Sequence, residues 1–143
     1  MKHTFVPVTV LVVALVIPAG FILHANNGQF VYTLDDPYIH LALAENIAGG
    51  HYGINSSEFA APSSSVLWPF LLVPFSALSY AYLLPVFFNA VFSLLTVVLL
   101  SRFYGQGGML LSVVSVFAFN LTGLVYTGME HSLQLLAVVA VVS

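Results

Sequence analysis

Apolar residues run along this chain in long blocks, separated by stretches where polar residues gather. Phe5 to Leu23 is apolar over nineteen residues, with Lys2 ahead of it. About 20 such residues cross a bilayer as a helix. Pro7 and Pro18 lie near the ends of the run, and spanning helices tolerate proline. A cleaved signal peptide has a shorter apolar stretch, about 7–15 residues, and a small-x-small cleavage site. His24-Ala25-Asn26 does not supply one, so a retained first span over about 5–23 is expected. Tyr82 to Leu100 is a second nineteen-residue block, interrupted by Pro85, Asn89, Ser93 and Thr96. A turn over 101–108 carries Arg102 and three glycines. A third span is expected over 109–127. From Leu133 onward the chain is again almost wholly apolar and reads as the start of a fourth. That run stops short of crossing length, so the sequence is expected to be the N-terminal part of a longer polytopic protein.

Between the first two spans lies a polar loop, about 24–81. Asp36-Pro37 suits a helix start, since Asp is a favoured N-cap and Pro a favoured first residue. Over 37–48, Ile39, Leu43 and Ile47 fall at four-residue spacing, and Gly49-Gly50 ends the run. The pattern predicts an amphipathic helix lying on the membrane surface. Val66 to Leu78 is apolar for only thirteen residues and contains Pro69 and Pro74. Runs of that length are more often interfacial than spanning, and a juxtamembrane segment is expected there. The predicted class is all-α: a polytopic transmembrane helix bundle with an amphipathic juxtamembrane helix in its first external loop.

Composition agrees. Hydrophobic residues make up 60% of the chain and charged residues 5%, against about a quarter charged in soluble domains. A net charge of −3 gives nucleic-acid binding no support. The absence of cysteine excludes disulfides and thiolate metal sites. If 66–78 does not cross, Lys2 and Arg102 share one side, and Asp35, Asp36, Glu45, Glu58 and Glu130 share the other. The positive-inside rule then places the N-terminus in the cytoplasm and the acids outside. The expected localisation is a multi-pass protein of the plasma or cell inner membrane. If 66–78 crossed, Arg102 and Glu130 would exchange sides.

Two groups could carry chemistry. Asp35-Asp36 places adjacent carboxylates at a helix start, where they can bind a divalent cation (Mg²⁺ or Mn²⁺), act as a general base, or merely cap the helix. His40 lies one turn after Asp36 on the same face and could join as a metal ligand or phosphate contact. Glu130, in Gly128-Met129-Glu130-His131, sits at the expected external end of the third span. It is either a functional acid or a marker of the water boundary. Glu45, His51 and Glu58 read as solvated loop residues. Asn55-Ser56-Ser57 fits a glycosylation sequon. Tyr52, Trp68, Tyr80 and Tyr82 fit an interfacial aromatic belt.

Taken together, the run from Asp35-Asp36-Pro37-Tyr38-Ile39-His40 to Ala48-Gly49-Gly50 resembles the first external loop of the GT-C superfamily. These are polytopic glycosyltransferases that use polyprenyl-phosphate sugars, and the arabinofuranosyltransferase- and mannosyltransferase-like branches are nearest in appearance. Ser65-Val66-Leu67-Trp68 is similar to the family's Ser-Pro-Leu-Trp motif with the proline replaced. Thr127-Gly128-Met129-Glu130-His131-Ser132-Leu133 is similar to its Gly-Leu-Glu motif. The resemblance implies inverting transfer of a sugar from a polyprenyl-phosphate donor to a glycan, lipid or protein acceptor at the external face. Asp35 would be the general base or metal-positioning acid, Asp36 its assistant and Glu130 the second-motif acid. The chain alone is expected to be inactive. The alternatives are a transporter piece or a structural membrane subunit without a catalytic site.

Overall fold

The structure, a computed structural model, describes residues 2–55 and 57–143. Ser56, the middle of the candidate sequon, lies outside the described residues. Every regular element among the described residues is helical. In chain order they are α1 (Lys2–Ala25), α2 (Asp36–Ala48), α3 (Leu67–Leu72), α4 (Leu84–Phe103), α5 (Gly105–Ala118), α6 (Leu121–Thr127) and α7 (His131–Val142). Short 3₁₀ turns follow α3 and precede α4.

Two helical stretches, Thr4–Ala25 and Ala81–Phe103, are long and apolar enough to cross a membrane. A third exists if α5 and α6 are one span bent by 49°. The bend has a local cause. Asn120 adopts left-handed φ 48°, ψ 48°, a conformation that asparagine tolerates better than most residues. Its side-chain oxygen accepts a hydrogen bond from the Gly123 amide at 3.2 Å, capping α6. The continuous helix expected over 109–127 is thus two helices.

Large apolar side chains cover the outside of the bundle, and small polar ones are buried within it. Phe5 and Phe21 on α1 are 73% and 71% exposed, whereas Asn89, Ser93, Thr96, Ser112 and Ser115 are buried. Small polar residues at helix contacts and apolar residues outside are what lipid favours. The α4–α5 contact illustrates it. Ser112 Oγ lies 2.6 Å from the Gly108 carbonyl and 3.2 Å from that of Val97 across the interface. A methyl group on Gly108 would stand 2.6 Å from the Leu100 carbonyl oxygen, so only glycine permits this approach. Leu11, Val97, Val116 and Leu121 form the apolar centre among these helices.

The bundle has two chemically different ends. At one, Ser101 Oγ is 3.3 Å from Thr4 Oγ1, and Arg102 shares a surface cleft with Thr4 and Phe5. The other lies about 30 Å away along the twenty residues of α4. There Tyr32 donates to the Tyr82 carbonyl at 2.8 Å, and Pro37 packs against Gly128. Asp35, Asp36 and Glu130 therefore belong to one end and Arg102 to the other.

At the acidic end α2 is more deeply packed than a helix lying on a surface. Its buried residues are Pro37, His40, Leu41, Leu43 and Ala44. Of the expected stripe only Leu43 is fully buried, while Ile39 and Ile47 are half-buried. The buried face is rotated toward His40 because α2 has two neighbours. Leu41 and Ala44 cluster with Trp68 and Leu72 of α3, and Phe88, Phe92 and Leu133 close the group. The residue before the helix is Asp35, one position earlier than expected, and its side chain makes no capping bond. Its carbonyl instead accepts from the Tyr38 and Ile39 amides at 2.9 and 3.2 Å. The apolar stretch 66–78 yields only the six residues of α3 and a 3₁₀ turn. Six helical residues reach about 9 Å, far short of a roughly 30 Å hydrocarbon core.

Candidate functional site

The link between α6 and α7 is held from three directions. Gly128 takes left-handed φ 70°, which ends α6 and turns the chain. Trp68 Nε1 donates to the Gly128 carbonyl at 3.1 Å. Asn89 Nδ2 donates to the Met129 carbonyl at 2.7 Å. Pinned carbonyls on consecutive residues leave little freedom for the next, Glu130. Its backbone carbonyl accepts from the Gln134 amide at 3.0 Å and begins α7.

Glu130 is only 4% exposed. Its Oε1 lies 3.4 Å from both Ser64 Oγ and Gln134 Nε2, which are long, weak contacts. Its Oε2 has no hydrogen-bond partner. Glu130 is thus enclosed by protein rather than solvated.

His40 faces the same region from α2. It is 1% exposed. Nδ1 lies 3.0 Å from Ser63 Oγ. Ser63 gives its own hydrogen to the Ser65 carbonyl, so the network assigns the ring proton to Nδ1. Nε2 then carries the lone pair, and it has no partner. Burial lowers the pKa of His40, while the charges of Glu130 and Asp36 pull the other way. Both carboxylates therefore stand within electrostatic reach of one buried imidazole. Asp36 is half-buried and Asp35 exposed.

The structure thus brings Asp36, His40 and Glu130 to one locality, with Asp35 at its exposed margin. Among the described residues no three His, Cys, Asp or Glu side chains stand close enough to hold a metal ion. Asp35, Asp36 and His40 do not form such a set. Trp68 was expected in an aromatic belt but is fully buried and bonded to the link before Glu130. Ser63, Ser64 and Asn89 were not among the expected site residues. Asn89 had a signal, an amide in the middle of an apolar block. The serines had none, because their roles arise from contacts 23 and 66 residues distant in sequence.

Protonating His40 must overcome its burial, so the fold binds this proton less readily than the unfolded chain does. Stability should therefore fall as pH drops below the ordinary histidine value of roughly 6.5. It should be retained above that value. Thermal melts of detergent-solubilised protein between pH 5 and 8 check this. His40→Gln should flatten the acidic limb, and an unchanged pH profile in that variant would assign the limb to other groups.

No protein-family model, curated protein or solved structure matches this chain.

Proposed function

We propose that the chain is part of an integral, multi-pass membrane glycosyltransferase of the GT-C kind, with its acidic end carrying the transfer site. The supporting observation is the buried Glu130 carboxylate at the same end of the bundle as Asp35-Asp36, with the first turn of α2 seated on Gly128. The lipid-facing character of α1 supports the membrane placement. The positive-inside rule, applied to Lys2 and Arg102, places the N-terminus in the cytoplasm and the acids outside.

In this reading Asp35 is the general base. It is exposed, makes no capping bond, and so is free to meet an acceptor hydroxyl. The hydroxyl oxygen attacks the anomeric carbon as its proton passes to the carboxylate. The bond from that carbon to the phosphate oxygen breaks, and the polyprenyl phosphate leaves with the electron pair. Configuration inverts. Asp36 and Glu130 fix the electrostatic field around the reacting groups, which is the larger part of such catalysis. Arg102 lies at the opposite end, so the donor phosphate needs a counter-charge. Mg²⁺ or Mn²⁺, or basic residues elsewhere in the protein, would supply it.

The test is transfer from a radiolabelled polyprenyl-phosphate sugar in membranes carrying the complete gene product. Asp35→Asn keeps the size and removes the base, and should lower the rate about 100-fold or more. Wild-type rates in Asp35→Asn would refute the assignment.

A further inference from the structure

Three side-chain atoms near the 128–130 link are buried without a hydrogen-bond partner: His40 Nε2, Asn89 Oδ1 and Glu130 Oε2. Their residues are 1%, 0% and 4% exposed. All three are acceptors. Asn89 spends its amide hydrogen on the Met129 carbonyl, which fixes Oδ1 as the free end. The Ser63 network leaves Nε2 of His40 with its lone pair. A carboxylate is acceptor-only. Acceptors cannot satisfy one another. Each one buried and unmet is destabilising, and more so if charged.

The three converge on one short segment. Glu130 belongs to it, Asn89 is bonded to the residue before, and the adjacent Ser63 and Ser64 contact His40 and Glu130 in turn. Only a donor completes such a set. The set is also anionic, with Asp36 adding to its field, and Arg102 stands at the other end of the bundle. A donor that is also cationic satisfies both demands. A primary ammonium has three N–H groups and one positive charge, and no acceptor of its own.

We propose that His40, Asn89 and Glu130 form a recognition site for a primary ammonium group on a small ligand, such as an amino sugar. The site deepens the glycosyl-transfer reading, and rests on it only in identifying the ligand as a sugar or an acceptor for one. A neutral polyol would supply hydrogens but leave the buried carboxylate uncompensated. Phosphate would meet acceptors and negative charge, and is excluded from this site.

The chain contains one tryptophan, and its Nε1 is bonded to the residue two before Glu130. Its emission therefore reports on the site. Titrate the purified full chain in lipid nanodiscs at neutral pH with glucosamine, and in parallel with glucose. Glucosamine should give a saturable change in the millimolar range or below, with glucose at least tenfold weaker. Glu130→Gln, which places an N–H donor among the acceptors, should abolish the response while melting no lower than wild type. If that variant does not fold, His40→Phe serves, and should weaken glucosamine at least tenfold. Equal responses to the two sugars, no response to either, or full binding by the variant would each overturn the proposal. The assay contains no polyprenyl phosphate, so the two readings fail separately. Binding of glucosamine without any transfer activity sinks only the enzyme. Transfer of an amine-free sugar with no glucosamine response sinks only this site.

Discussion

Gly128→Ala should be strongly destabilising. The residue holds φ 70°, where an L side chain costs about 1–2 kcal/mol. The added Cβ would also lie 2.6 Å from Pro37 Cγ and 2.7 Å from Tyr32 Cε1. Neither neighbour can retreat cheaply. Pro37 is a ring in the first turn of α2, and Tyr32 is tied at both ends of its own network. Its hydroxyl donates to the Tyr82 carbonyl and accepts from the Val86 amide at 3.1 Å. Burial holds that hydroxyl above the usual tyrosine pKa, so the network stays protonated through neutral pH. Overpacking adds roughly 1–3 kcal/mol. The two contributions make about 2–5 kcal/mol in all, equivalent to a fall on the order of 10 °C in melting temperature for a domain near this size. Melting in detergent by circular dichroism measures it. Gly128→Asn separates the causes: asparagine tolerates the backbone angle but brings the same Cβ, so it should lose most of the stability too. A melting temperature within a degree or two of wild type in both variants would mean that α2 does not sit on Gly128.

Trp68→Ala should cost about 3–5 kcal/mol, the range for removing a fully buried large aromatic side chain. Trp68 is 0% exposed and sits among Leu41, Ala44 and Leu72, with Phe92 at 6.4 Å between ring centroids. It therefore joins α3, α2 and α4, and its indole N–H reaches the Gly128 carbonyl. Trp68→Phe distinguishes packing from bonding. Phenylalanine keeps most of the apolar bulk but leaves that carbonyl unmet, so a loss of about 1–3 kcal/mol is expected. An interfacial belt residue would behave otherwise, with small losses in both variants. The pair of unfolding curves thus tests whether this tryptophan belongs to the interior of the acidic end or to its lipid boundary.

Much of the helical layout was legible along the chain. Apolar block length located α1 and α4, because crossing length is set by helix rise and hydrocarbon thickness rather than by neighbours. Asp36-Pro37 and Gly49-Gly50 bracketed α2 to within one residue, because proline and glycine act on the backbone at their own positions. The short block at 66–78 gave only α3 and a turn, in keeping with its two prolines. The break at Asn120 went unseen. Its signal is a single residue inside an apolar run, and nothing adjacent forces the left-handed angle.

The face of α2 was misjudged for a different reason. Four-residue spacing selected Ile39, Leu43 and Ile47 on the premise of one apolar neighbour. The helix has two neighbours, and one of them is polar, so His40 turns inward with Leu41 and Ala44. Burial here follows the surroundings and not the hydrophobicity of the residue alone. Trp68 was misplaced in the same way: an aromatic near a membrane interface can face lipid or protein, and local sequence does not distinguish them.

The sequence by itself determined that the chain is helical and apolar, which residues are acids, and where its punctuating prolines and glycines fall. Those properties are local, carried by neighbours along the backbone. The tertiary structure alone decided that His40, Ser63, Asn89 and Glu130 gather around the 128–130 link, and that three of their polar atoms have no partner. Whether a buried polar atom is satisfied depends on groups brought from four separate segments. No contiguous stretch of residues encodes that meeting.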